Sequence, residues 1–296
     1  MIEREKYQGG DMDTKDFTIL KVLGETGSIT RAAELLFMTQ PALSKRIKLM
    51  EAEFGRELLI RSHQGIHFTP AGEKVLQFSK GAALAMDKLK QELDLSKGEI
   101  CGTLRAGYSL SYGTYRLAGQ LAEYYRSYPK VNLQIIMDQS GQLYQQMLDG
   151  ALDIAIIRGE YTWERGRYLL AEEKVYMVCS RENQDRKLEE YPYISRETDP
   201  YLSGQLLRWL REKEISTESS RICVDNITTC EELVESGVGW AILPEIALEN
   251  FSGVKKPLAF KNGEPFIRRT YVFCQREALK LPQVDAFIKV IRKMHI

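Results

Sequence analysis

At 296 residues the chain exceeds a typical single domain, and its 44% apolar and 28% charged composition is that of a globular protein. No apolar run approaches the ~18 residues of a membrane helix, and the opening "MIEREKYQGGDMD" has no apolar signal core, so nothing argues for export and a cytoplasmic location is expected. A formal net charge of zero gives no global case for nucleic acid, so any argument for DNA must be local.

Residues 1–11 read as an untethered leader, and Met12 would serve equally well as a start. From Lys15 to about Phe68 the pattern is short helices followed by a hairpin. The stretch "ITRAAELLFMTQPALSKRIKLME", residues 29–51, holds two helical runs joined by the short turn "FMT". In the second run Thr39 is the expected N-cap and Pro41 sits in the first turn, where its missing N–H costs little. Leu43, Ile47, Met50 and Phe54 recur at helical spacing and form one apolar stripe. Pro41, Ser44, Lys45 and Lys48 occupy the opposite face, with Gln40 at its exposed N-terminal end. That face offers an amide, a hydroxyl and two ammonium groups, the chemistry with which a major-groove helix reads base edges and neutralises phosphate. Ala32 and Ala33 in the first run are small enough for close helix packing.

"LLIRSHQGIHFT" then reads as two strands around His63-Gln64-Gly65, a winged hairpin that puts Arg61 and His63 beside phosphate or a minor groove. A long helix is expected from Pro70 to about Leu95, with apolar residues at 75, 78, 82, 85 and 89. Spacings of three and four make a seam suited to pairing between subunits. "SKGEICG" is a linker, and beyond it strand-like and helix-like segments alternate, which argues for parallel βαβ units.

Taken in order, these segments resemble the LysR-type transcriptional regulators. The residues that carry the resemblance are "GSITRAAELLFMTQPALSKRIKLMEAEFGRELLIR", then "FTPAGE", then "LRAGYSLS", "YPKVNLQI", "LDIAII" and "GVGWAILPE". The resemblance implies an α + α/β chain. A winged helix-turn-helix would span 12–69, a dimerising linker helix 70–96, and a two-lobed effector domain, shaped like a periplasmic binding protein, 100–296. Lobe 1 is expected at about 100–168 and 270–296, and lobe 2 at about 169–269. It also implies dimers or tetramers that bind double-stranded promoter DNA and answer a small molecule through DNA bending or contact with RNA polymerase. By position, Thr30, Arg31, Gln40, Pro41, Ala42, Ser44 and Lys45 match the DNA-facing part of the motif. Two departures stand out: "LLIR" at Leu58 to Arg61 where the family often has "LFER", and Phe37-Met38 in place of a polar residue and Val.

In a two-lobed α/β domain ligands bind near strand C-termini and helix N-termini. Ser109 and Ser111, Gln139 and Ser140, Arg158, Ser195, and Asn226 with Thr228 and Thr229 all occupy such positions. Hydroxyls and helix N-termini suit a carboxylate or similar anion, and Arg158 adds charge. Plain helix capping is the competing use of each polar residue. No cofactor and no metal site is expected, since the five cysteines contain no CxxC pair and the three histidines no HExxH.

Other readings fare less well. "GYSLS" at 107–111 lacks the last glycine of a nucleophile elbow, and "GVGWAI" at 237–242 lacks the third glycine of a dinucleotide fingerprint. No histidine lies between His67 and His295 to act as a base, so an enzyme is not expected. A solute-binding protein would not need the N-terminal helix-turn-helix. A thiol-based redox sensor of the same family would use Cys223 and Cys230, against the reading of two buried thiols.

Overall fold

The computed structural model describes residues 12–62, 65–94, 99–164, 166–216 and 221–294; the leader 1–11 and His63 lie outside them. The chain forms two compact units, Met1–Ser96 and Lys97–Ile296.

The first unit holds α1 (Thr14–Thr26), α2 (Ile29–Leu35), α3 (Gln40–Phe54), β1 (Leu59–Ser62), β2 (Gly65–Phe68) and α4 (Pro70–Asp94). Side-chain caps start the first three helices: Asp13, Ser28 and Thr39 accept from the N–H groups of Asp16, Arg31 and Ala42. Leu20, Leu23, Ala32, Ala33, Leu43, Ile47 and Met50 share one buried core. Phe54 departs from the expected stripe and is 43% exposed. Gly55, left-handed at the C-cap, ends the helix there, and the last turn projects past the core. β1 and β2 form an antiparallel hairpin from Leu59↔Phe68 to Ser62↔Gly65. The start of β2 lies against the α1–α2 turn, where Ile66 N donates to Gly27 O at 2.9 Å. Gly65 has φ +118°, and a Cβ there would stand 2.5 Å from the same carbonyl, so only glycine fits.

The second unit is built on a seven-stranded sheet. Its first half comprises β3 (Gly102–Ser109), β4 (Val131–Asp138) and β5 (Ile154–Arg158), with α5 (Leu110–Ser127), α6 (Ser140–Leu148) and α9 (Pro282–Lys293). Here β3 is parallel to both β4 and β5, as the alternation predicts. The sheet as a whole is mixed. β6 (Arg167–Cys179) and β11 (Ile267–Cys274) are antiparallel to each other and carry the chain out of this half and back. An outgoing and a returning strand that lie side by side must run in opposite directions. β11 also pairs with β5, while the end of β6 pairs with β9 (Ala241–Pro244) and β10 (Val254–Pro257). Beyond them stand the parallel pair β7 (Tyr193–Arg196) and β8 (Arg221–Val224), with α7 (Pro200–Glu212) and α8 (Ile227–Glu235).

Each half has its own core. Tyr108, Tyr112, Tyr124 and Phe287 fill the first, and Trp209, Trp240 and Phe266 the second. Among the described elements β6 and β11 run from one to the other, and a register shift between Thr270 and Tyr271 marks the crossing.

Candidate functional site

In the first unit the polar face of α3 points away from the core. Gln40, Pro41, Ala42, Lys45 and Lys48 are exposed and Ser44 is half-buried; Thr30 and Arg31 at the start of α2 and Arg61 on β1 are exposed as well. The Gln40 amide donates to Ser44 Oγ at 3.1 Å, which holds the two base-reading candidates as a pair. Arg46, although it sits between Lys45 and Lys48 in sequence, turns inward. Its Nε and Nη2 donate to the Asp16 carboxylate at 2.6 and 2.5 Å, and Asp16 is fully buried. Asp16 also accepts the Asp13 N–H at 2.8 Å, so one carboxylate ties α1 to α3 and completes the cap of α1. Lys45, Lys48 and Arg31 make no ion pair among the described residues. On α4, Val75 packs against the core of this unit and Ala82 is half-buried, while Phe78 (68%) and Leu89 (49%) of the expected seam are exposed.

In the second unit a cavity of about 100 Å³ lies where the N-termini of four helices meet. Ser109, Leu110, Ser111 and Thr114 reach it from α5, Gln139 and Ser140 from α6, Thr198 and Asp199 from α7, and Asp225, Asn226 and Ile227 from α8. Two of these ends are already capped: Asp199 accepts from Leu202 N and Asn226 from Thr229 N. The ends of α5 and α6 have no side-chain cap, so their first N–H groups face the cavity uncapped. Ser109 is 2% exposed, and its Oγ has no hydrogen-bond partner among the described residues.

Three guanidiniums surround this point. Arg268 is buried and paired with Asp199, Nη1 to Oδ1 at 3.5 Å with a shorter contact from Nη2. Arg158 stands one layer behind, paired with Glu173 and donating from Nη1 to Ser111 Oγ at 3.2 Å, while its own N–H donates to Ser140 Oγ at 3.2 Å. Arg196, on the rim of β7, also lines the cavity; its Nε is shut off from solvent and unpartnered among the described residues. Burial first, and Arg268 beside it, hold the Arg196 guanidinium below its ordinary pKa, and the same two causes act on Arg158.

Of the residues expected from sequence, Ser109, Ser111, Gln139, Ser140 and Asn226 come together here. Ser195 does not line the cavity; its Oγ donates to Ile222 O at 3.2 Å. Thr228 and Thr229 lie further along α8, and Thr228 hydrogen-bonds Tyr115. Arg196, Arg268 and Asp199 were not expected. The dipeptide Asp199-Pro200 is a helix-start signal that would have found the last of them. A larger open cleft of about 550 Å³ lies elsewhere in this unit, beside Arg116 and Glu245, but its carboxylates are already engaged. Glu172 pairs with Arg269, Glu173 with Arg158, Glu249 with Arg116, and Glu245 accepts from Tyr176.

Cys223 is exposed and Cys230 buried. Burial pushes the Cys230 thiol up to about 11, the reverse of what a reactive thiolate needs.

The model of the bacterial regulatory helix-turn-helix protein, lysR family, matches residues 14–73, and that of the LysR substrate binding domain matches residues 97–295. The chain belongs to the LysR family of transcriptional regulators. It is 32% identical over 286 residues to YkuM of Bacillus subtilis, an uncharacterized HTH-type transcriptional regulator, covering 96% of this chain and 98% of that one. Against CzcR of Bacillus anthracis the identity is 27% over 290 residues, with 96% and 98% covered. Among solved structures, full-length CbnR complexed with its target DNA aligns with a TM-score of 0.67 at 18% identity, over 95% of this chain and 99% of that one. ArgP from Mycobacterium tuberculosis aligns with a TM-score of 0.67 at 18% identity, over 96% and 98%. This LysR-type regulator is therefore a DNA-binding protein with an N-terminal helix-turn-helix and a C-terminal substrate-binding domain. None of its described helices is long and apolar enough to cross a membrane.

Proposed function

We propose that the regulator binds promoter DNA through residues 12–69, associates with further copies of itself through 70–96, and senses a small anion with 100–296. The anion would lie between lobe 1, about 100–168 and 270–296, and lobe 2, about 169–269. One observation carries the sensing role. Four helix N-termini converge on a cavity in which a buried serine hydroxyl and a shielded guanidinium N–H have no partner among the described residues. Buried polar groups are otherwise almost always paired, and an anion satisfies both donors together with the uncapped ends of α5 and α6.

At the DNA, Gln40 and Ser44 read base edges as a hydrogen-bonded pair, and Lys45, Lys48, Thr30, Arg31 and Arg61 contact the backbone. The exposed seam of α4 at Phe78 and Leu89 supports pairing of subunits in a dimer or tetramer. Because β6 and β11 are the described strands that run through both lobes, a ligand held by both would change the angle between them. That change would pass to DNA bending or to contact with RNA polymerase.

A thermal-shift screen of the full chain against carboxylates, amino acids, aromatic acids and phosphates tests the sensing site. A hit should be lost in Thr114→Trp, which places an indole at the cavity mouth. Hits that survive this change would remove the cavity from the account.

A further inference from the structure

The cavity limits the size of its occupant. At about 100 Å³ it is smaller than the ~150 Å³ cavity that accepts benzene, so it has no room for a buried aromatic ring. By the same ratio the enclosed part takes about four heavy atoms, and because the lining is exposed at its outer edge a molecule of up to about six fits with its far end in solvent.

Charge limits it further. Within the buried layer, the cations are Arg158, Arg196 and Arg268, and the anions are Glu173 and Asp199. Each carboxylate is paired, Glu173 with Arg158 and Asp199 with Arg268, which leaves Arg196 as the cation without an ion-pair partner in that layer. One negative charge balances it. At the outer edge the lining changes sign, because Glu197 and Asp225 are exposed there and no basic side chain of the lining stands among them. A second anionic group that pointed outward would meet these two carboxylates, whereas a hydroxyl or an ammonium group would be accepted.

We infer that the regulator's effector is a short monocarboxylate of about four to six heavy atoms, neutral or positively charged at its other end, held by Arg196 and Ser109. The inference rests on the sensing site proposed above. The carboxylate takes the Arg196 Nε–H and the Ser109 hydroxyl, each without a hydrogen-bond partner among the described residues, together with the uncapped N–H groups of α5. Arg268 serves the site indirectly: its pairing with Asp199 holds the start of α7 in place. Arg196 is thus the residue that sets the charge of the ligand, and the small volume sets its length.

Isothermal titration of the full chain with acetate, glycine, L-alanine and L-lactate tests this, with succinate, benzoate, phosphate and sulfate as comparators. At least one short monocarboxylate should bind, at least tenfold tighter than every comparator. Arg196→Met should weaken it by roughly 10- to 100-fold, as loss of a charge-assisted hydrogen bond does, and Arg196→Lys should recover part of the loss. Ser109→Ala, which removes no hydrogen bond among the described residues, gives a second reading if the Arg196 variants do not fold. Benzoate or succinate binding more tightly, with sensitivity to Thr114→Trp, would leave the site standing and overturn this ligand class. Tighter binding of phosphate or sulfate would overturn it in favour of a tetrahedral oxyanion. Silence from all four monocarboxylates would overturn it too. A monocarboxylate that binds regardless of Thr114→Trp and Arg196→Met would instead overturn the site itself.

Discussion

The helix-turn-helix unit and the sensing unit divide their cations in the same way but place them differently. In the first, Arg46 is spent on a buried carboxylate, while Lys45 and Lys48, its neighbours in sequence, lie open to solvent. In the second, Arg268 and Arg158 are spent on Asp199 and Glu173, and Arg196 is left over inside a cavity. A basic residue with a buried acid against it is framework, and one without is available to a ligand. On the DNA side the available charge is a solvated surface that meets a polyanion. On the sensing side it is one half-buried side chain with a shielded Nε, whose proposed partner is one small anion.

The sharpest way to break this division is to remove a partner from a spent cation. Asp199→Ala leaves Arg268 buried and unpaired and strips the cap from α7, so it should cost about 3–5 kcal/mol in urea unfolding. A loss under about 1 kcal/mol would mean that the pair is not framework. Arg46→Met leaves Asp16 buried without its partner; because Arg46 keeps 25% exposure, the expected loss is smaller, about 2–3 kcal/mol. Gln40→Ala should leave stability near wild type and cost roughly 1–3 kcal/mol on a DNA site selected from a random pool. Binding to unselected DNA should change little, and equal losses on both would contradict base reading by Gln40. Ser109→Ala should shift unfolding by less than about 0.5 kcal/mol, since its hydroxyl makes no hydrogen bond among the described residues.

The same contrast explains what the sequence could and could not reveal. The faces of α3 follow from a period of 3.6 within one segment, so Leu43, Ile47 and Met50 could be told from Lys45 and Lys48 without any tertiary information. Arg46 escaped that reading because its partner, Asp16, is thirty residues away on another helix. The cavity draws on strand ends scattered from Ser109 to Arg268, and only the pairing of β11 with β5 and β6 brings the last of these to the first. At β7, side chains alternate between faces, and the hydroxyl of Ser195 drew attention while its neighbour Arg196 lines the cavity. The family resemblance implied a return to lobe 1 near residue 270, but alternating strands and helices do not disclose that β11 runs antiparallel beside β6 and makes the sheet mixed.

The most direct test of the division between spent and available cations is the salt dependence of DNA binding. Log K against log salt should be measured on one random duplex for the wild type, Lys48→Ala and Arg46→Met, at a temperature where all three are folded. Loss of one phosphate contact in Lys48→Ala should reduce the slope by about 0.9, while Arg46→Met, which removes no exposed charge facing the DNA, should keep the wild-type slope. The opposite pattern, a slope lowered by Arg46→Met and unchanged by Lys48→Ala, would contradict the account.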